Sequence, residues 1–213
     1  IGYTLAPRIN AAGRMGQADL AAELLLTRDP GRAAALAQEL CALNRERQTI
    51  ECEIFQECVQ RLERRPQSGI ILLADEHWHQ GVVGIVASRL TEKYSCPAFM
   101  VCLDQGMGKG SCRSWGGVNL FHLLTQCQDL LEGFGGHAMA AGFTVREENI
   151  PALECRLRQL VLEEQAGEEL PSLLDIDAAV LPQELTVEAV EALDALEPCG
   201  AGNPRPVLVL TGA

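Results

Sequence analysis

None of the nine cysteines in this chain stands in Cys-x-x-Cys spacing, and their number is odd. That arithmetic argues against a disulfide scaffold and shows no zinc knuckle. Most of them lie in apolar runs such as Val101-Cys102-Leu103, as small buried hydrophobes of a reducing compartment do. No apolar run reaches the roughly 18 residues of a membrane span. No basic stretch leads into an apolar core at the start, where Arg8 and Asn10 interrupt the run, so no secretory signal is read there. Aromatic residues are 4% of the chain and the net charge is −12, a balance that disfavours a membrane-surface role. Nucleophile-elbow and His-Glu-x-x-His patterns are missing, and no cluster of Asp and His suits a two-metal centre. The first residue is Ile1 rather than Met, so the sequence reads as an excised piece of a longer chain.

What is present is enough for a folded core: 213 residues, 47% hydrophobic and 22% charged. The acidity is uneven. Residues 1–65 carry 9 basic and 9 acidic side chains, residues 66–146 carry 5 and 6, and residues 147–213 carry 3 and 14. A polyanion would therefore meet the first two thirds, not the last.

Asp29-Pro30 opens a helix, with an acidic N-cap and proline at the first helical position. Leu36, Leu40, Leu43, Ile50, Ile54 and Leu62 continue it at three-to-four spacing, Arg47 breaks the stripe once, and Pro66 ends it. At 1.5 Å per residue this is roughly 54 Å, a length that suits a connector between domains. Strands are expected at Gly69–Ala74, Ala98–Leu103, Ser111–Trp115 and Gly142–Val145, and helices at Val82–Tyr94, Val118–Leu131 and Ile150–Glu164. Gly106–Gly110 and Gly133–Gly136 read as glycine turns between them. The alternation predicts an α/β layer domain over about residues 67–166. Ala166–Pro171 reads as a linker. Beyond it an extended Asp175–Leu181, a helix Val187–Leu196 and a strand Val207–Leu210 read as the start of a further domain.

Four segments hold anion-binding chemistry. Pro7–Met15 gathers Arg8, Asn10 and Arg14 around small residues, although residue types alone favour a tight turn. Asp75–Gly84 lies where a buried strand meets a helix, a crevice that takes ligands in parallel layers. There His79 is a phosphate-contact candidate, and a His77–His79 metal pair lacks further ligands. In Gly108–Ser114 an extended chain puts Ser111 and Arg113 on one face and Cys112 and Ser114 on the other, beside Lys109. An oxyanion site and a polar hairpin edge read equally well there. Phe134–Phe143 combines Gly135, Gly136 and His137, the elements of a backbone anion nest.

In this order the segments resemble the RecJ-type single-stranded-DNA exonucleases of the DHH phosphoesterase superfamily. Pro7-Arg8-Ile9-Asn10-Ala11-Ala12-Gly13-Arg14-Met15 resembles the family's P-R-[IL]-N-A-A-G-R-M segment. His79-x-Gly81-Val82-Val83-Gly84-Ile85-Val86-Ala87 resembles its H-x-G-V-[IV]-G-I-V-A block. Gly110-Ser111-x-Arg113-Ser114 is similar to G-S-x-R-S, and Phe134-Gly135-Gly136-His137 to the G-G-H block of the DHHA1 domain. Leu196-x-Pro198-x-Gly200-x-Gly202-Asn203-Pro204-x-Pro206 resembles the lead into the family's OB-type domain, with Cys199 where phenylalanine is usual.

The resemblance implies an organisation. Residues 1–28 would close a DHH domain otherwise absent from this sequence, and 29–66 would be the connector helix. Residues 67–166 would be the DHHA1 domain, a mostly buried sheet flanked by helices, and 167–213 a linker and the beginning of an OB-type domain. It also implies a reaction, metal-dependent 5′-to-3′ hydrolysis of single-stranded DNA in repair and recombination. Mn2+ or Mg2+ would serve the full-length enzyme, and none is expected on this piece. Single-strand-binding protein or a helicase would be companions, and the location cytoplasmic. The implied substrate-binding residues are Ser111, Arg113, Ser114, Gly135, Gly136, His137, His79, Lys109, Asn10 and Arg14, with no catalytic or metal-ligating residue among them. An oligoribonuclease or nucleotide phosphatase of the same superfamily is the first alternative. A non-catalytic nucleic-acid-binding or docking relative is the second.

Overall fold

The computed structural model describes residues 1–64, 69–165, 174–200 and 202–212, which fall into two compact units, 1–169 and 170–213. The helix stop expected at Pro66 and the linker expected at 166–171 lie outside the described residues. Among the described residues no helix is long and apolar enough to cross a membrane.

The first unit opens with α1 (Leu5–Arg14) and α2 (Ala18–Leu26), so the segment at Pro7–Met15, where residue types alone favour a tight turn, is mostly helix. The long helix α3 (Pro30–Glu63) starts as the sequence dictates, with the Asp29 carboxylate accepting the Gly31 N–H at 2.8 Å. It is not a bare spacer. Leu40 and Leu43 pack with Ala12 and Ala21, while Ile54, Cys58 and Leu62 join the core beneath the sheet. Arg47 breaks the apolar stripe because it is buried in an ion network. It pairs with Glu51 one turn on and donates to Asn44 Oδ1 at 3.0 Å, and Glu51 also holds Arg89 of the neighbouring helix at 3.1 Å.

Beyond α3 come β1 (Ile71–Asp75), α4 (Gln80–Tyr94), β2 (Ala98–Asp104), β3 (Met107–Arg113), α5 (Leu120–Gln126), β4 (Leu131–Gly136), β5 (Ala140–Arg146) and α6 (Ile150–Gln165). The strands form one sheet in the order β1-β2-β3-β5-β4. Only β1 and β2, joined by α4, run parallel, and every other pairing is antiparallel. One face packs Phe99, Val101, Cys112, Phe143 and Val145 against Leu120, Leu123 and Leu124 of α5 and Leu153, Leu157 and Val161 of α6. The other face packs Ile71, Leu73, Ala98 and Met100 against Val82, Val83, Val86 and Leu90 of α4 and the C-terminal part of α3.

Two expected turns are strands. The segment Met107–Gly110 belongs to β3, and the reversal sits at Gln105-Gly106, both in the left-handed region. Glycine stands at position 110 within this strand because a Cβ there would come within 2.2 Å of the Phe143 ring. Likewise Gly133–Gly136 is part of edge strand β4, paired with β5 through an irregularity between Leu131 and Gly133. The helix expected over Val118–Leu131 stops at Gln126, and a 3-10 turn at Gln128–Leu130 delivers the chain to that edge. The sheet is therefore covered on both faces only at β1 to β3. The glycines of β4 and Gly142 of β5 are exposed.

In the second unit, β6 (Ala178–Val180) runs parallel to β7 (Leu208–Leu210), with α7 (Val187–Ala192) between them in sequence. Thr186 caps α7 by accepting the Ala189 N–H at 3.2 Å. Asn203 Nδ2 donates to the carbonyls of Leu196 and Pro198 and closes the glycine-rich loop before β7.

Candidate functional site

Three of the four segments singled out in the sequence meet at the N-terminal end of α4. His79 is the N-cap of that helix, and its Nδ1 accepts the Gly81 N–H at 3.1 Å. An acceptor at Nδ1 leaves the imidazole proton on Nε2. The Gly81 carbonyl in turn accepts from Arg14 Nη1 at 3.0 Å. A Cβ on Gly81 would lie 2.0 Å from the Arg14 carbonyl oxygen, so α1 and α4 meet backbone to backbone. One turn further, a Cβ on Gly84 would lie 2.8 Å from Ser111 Oγ and 3.1 Å from Arg113 Nη2. Ser111 and Arg113 thus stand over α4 at the spot where a missing side chain leaves room.

Arg113 is half-buried and donates to its neighbour Cys112 O at 2.8 Å and to Ser111 Oγ at 3.3 Å. Among the described residues no carboxylate pairs with it or with Arg14, whereas Arg32, Arg47, Arg61, Arg89, Arg146 and Arg156 each have one. Burial lowers the Arg113 pKa from its ordinary value, and the positive charge of Arg14 lowers it further. A guanidinium half out of water, without a carboxylate partner among the described residues and within the field of Arg14, forms a site that an anion would relieve.

Arg14 also borders a cavity of about 590 Å³ lined by Pro7, Asn10, Arg47, Gln48, Glu51, Ile85 and Arg89. Asn10 faces this cavity beside Arg14 rather than the sheet, so the two surfaces share one arginine.

The fourth segment joins through the strand register. Ser111 is opposite Gly142, and Gly142 is opposite Gly135. Alternation puts these on the α4 side of the sheet, since Ala141, Phe143 and Val145 point into the other core. Past the edge of α4 that side is an exposed floor of glycine backbone at Gly135 and Gly142. Lys109, exposed and opposite Thr144, stands at one end of the strip. At the other end Arg113 is opposite Ala140, whose carbonyl accepts the His137 N–H at 2.8 Å. His137 is exposed and lies one residue beyond the last paired position of β4. Gly136 makes the bend, at φ 142°, where a Cβ would lie 2.4 Å from Ala141 Cα.

Ser114 does not belong to this surface. It is 7% exposed, its hydroxyl donates to the Val118 carbonyl, and its N–H donates to Met139 O at 3.0 Å. It points to the opposite side of β3 from Arg113 and pins the loop that follows. Nor do His77 and His79 form a metal pair: His77 turns to Asp75, 3.1 Å from Nδ1 to Oδ1, while His79 caps the helix. Residue-type reasoning missed Gly81 and Gly84 as the points where two elements touch, and Arg47, Glu51 and Arg89 as cavity walls. The interrupted stripe at Arg47 was the one signal for the latter. Among the described residues no three His, Cys, Asp or Glu side chains gather as a metal-ligand set.

The chain is similar to known proteins over its whole length. The DHHA1 domain family matches residues 66–163, and the RecJ OB domain family matches residues 176–213. The single-stranded-DNA-specific exonuclease RecJ of Bacillus subtilis is 38% identical over 216 residues, spanning all of this chain and 28% of that protein. A crystal structure of RecJ from Thermus thermophilus in complex with Mn2+ superposes with TM-score 0.84 at 38% identity, covering 99% of this chain and 31% of that one. The same protein in complex with Mg2+ gives TM-score 0.81 at 38% identity, covering 96% and 32%. The chain thus spans about a third of the length of the relatives it matches.

Proposed function

Since this chain belongs to the RecJ-type family, with a DHHA1 domain followed by a RecJ-type OB domain, we propose that it forms the phosphate-gripping wall of a 5′-to-3′ single-stranded-DNA exonuclease acting in DNA repair and recombination. One observation supports this above the others: Arg113 is half-buried with no carboxylate partner among the described residues, feels the charge of Arg14, and sits with the Ser111 hydroxyl over the gap at Gly84. A phosphate oxygen there would accept from the guanidinium and the hydroxyl together. The exposed glycine floor at Gly135 and Gly142 lets the strand's backbone approach, His137 holds the terminal nucleotide, and Lys109 adds charge along the path. His79 presents its Nε2–H at the same helix end. Asn10 and Arg14 border the adjoining cavity where the strand would continue. Such interactions position a strand without reading its sequence, so little base preference is expected.

In this reading the hydrolysis uses Mn2+ or Mg2+ held outside the described residues. The described side chains do not gather into a metal-ligand set. The OB-domain match at residues 176–213 favours this reading over an oligoribonuclease or nucleotide phosphatase. Action in the cytoplasm beside single-strand-binding protein or a helicase completes the proposal.

The test is strand binding by the 213-residue chain across a salt series. Arg113→Ala should weaken binding and make the salt slope shallower by about 0.7 for each phosphate that is no longer neutralised. An unchanged slope would remove Arg113 from the phosphate role. Robust metal-dependent cleavage by this chain alone would overturn the division of labour.

A further inference from the structure

The chain has two tryptophans, and they are treated oppositely. Trp78 is 6% exposed, and its indole N–H donates to Glu57 Oε2 at 2.9 Å. Trp115 is 38% exposed, and its indole makes no hydrogen bond or ring contact with any described residue. Yet the loop that carries Trp115 is fixed on both sides. Ser114 before it is anchored to Val118 and Met139, and the Val118 N–H returns to the Trp115 carbonyl at 3.2 Å. Val118 itself is 4% exposed, and Gly116 and Gly117 take the left-handed turn between them. The neighbouring hairpin tip is pinned to the same loop: Ala138 O accepts the Leu120 N–H and Met139 O the Ser114 N–H, both at 3.0 Å. That tip presents Met139 at 61% exposure. A large aromatic ring is thus left partly open to solvent on an ordered backbone, with a polarizable thioether on the adjoining loop.

The position decides what would cover it. Trp115 follows Arg113 by two residues, about 7 Å of extended chain, which is within the span of one nucleotide. A strand whose phosphate lies on Arg113 must place an adjacent base near the end of the row where the Trp115 loop and the hairpin tip meet. Stacking is how proteins hold bases without reading them.

We propose that Trp115, flanked by Met139, is a stacking platform for a nucleobase of the single strand whose phosphate Arg113 holds. This rests on the phosphate reading above and adds a second, apolar grip to it. The test uses the 213-residue chain and two short 5′-phosphorylated strands of equal length, one of thymidylate and one of abasic tetrahydrofuran units. The thymidylate strand should bind roughly 5- to 100-fold tighter, the factor one stacked base supplies. Trp115→Leu should erase that preference by weakening the thymidylate strand alone, and Trp115→Phe should keep part of it. Tryptophan emission should be quenched by thymidylate in the unsubstituted chain and not in Trp115→Phe, where only the buried Trp78 remains. Equal affinity of the unsubstituted chain for both strands, or a full preference retained in Trp115→Leu, overturns the platform and leaves the phosphate grip standing. Binding of neither strand overturns both.

Discussion

Gly84 and Ser111 approach each other through a side chain that is not there: a Cβ on Gly84 would stand 2.8 Å from the Ser111 hydroxyl. The atom it would meet is the end of a side chain able to rotate away. At Gly81 the obstructing atom is the Arg14 carbonyl, at 2.0 Å, and backbone cannot rotate away. The two glycines lie one turn apart in α4, yet alanine should have different effects at each. Gly84→Ala should leave stability within about 1 kcal/mol, because alanine is the better helix former, and should weaken strand binding by displacing Ser111 and Arg113. Gly81→Ala should force α1 off α4 and cost about 1–3 kcal/mol of overpacking strain. Urea unfolding and strand titration on both variants check this. Equal loss of stability in the two would show that neither approach is as specific as the distances indicate.

Asp75 gives a pH dependence with a definite sign. Partial burial pushes its carboxyl up, but the His77 backbone N–H, the Arg61 guanidinium and the His77 ring together outweigh burial and hold it below the ordinary carboxylate range. A group depressed by folding contributes stability that is present in full above its unfolded value, about 3.9 for aspartate, and lost as pH falls through the lower folded value. Asp75→Asn should therefore be less stable than the unsubstituted chain at pH 6, with the gap closing as pH falls below 4. Melting temperatures from pH 2 to 6 read it directly, and a gap that stays constant would mean the carboxylate charge has no part in the interaction.

The cysteines separate by reactivity. Burial pushes the Cys58 and Cys112 thiols up to about 12 and those of Cys96, Cys102 and Cys127 up to about 11. Only the thiolate attacks, so these five should label at pH 8 only as the protein unfolds. Cys52 and Cys155 are exposed and should react at once. A chromogenic disulfide reagent counts the phases, and five or more fast thiols would contradict the packing.

What the sequence made legible was local. Asp29-Pro30 marks the start of α3 to the residue, and the buried strand at residues 98–104 and the helix at residues 80–94 are legible within two residues, because caps and apolar runs are short-range signals. Alternation along β3 separates Ser111 and Arg113 from Ser114 without any knowledge of tertiary packing. Only the family motif draws Ser114 into the site, and the structure returns it to the loop. Gly133–Gly136 reads as a turn because glycine signals one by its backbone freedom, whereas here its lack of a side chain opens an edge strand. The row Ser111–Gly142–Gly135 is out of reach: it depends on the register of three strands whose members are up to 31 residues apart. No local pattern encodes that alignment.

Glu51 supplies the last prediction. Its carboxylate is 13% exposed and serves two arginines, Arg47 on its own helix and Arg89 on α4. Arg47 is slightly more buried still, at 11% exposure for the side chain, and its other described partner is Asn44. Glu51→Ala would leave that guanidinium largely out of water without its counter-ion, and removing one partner of a buried pair costs about 3–5 kcal/mol. Water can reach the cavity bordering Arg47, so the lower end, about 3 kcal/mol, is expected. Replacing both members, Arg47→Met with Glu51→Leu, should recover most of the loss, since the desolvation cost disappears with the charges. Chemical denaturation of the three variants decides between a charge effect and a packing effect: if the double variant is as unstable as Glu51→Ala, shape rather than charge joins α3 to α4 at this point.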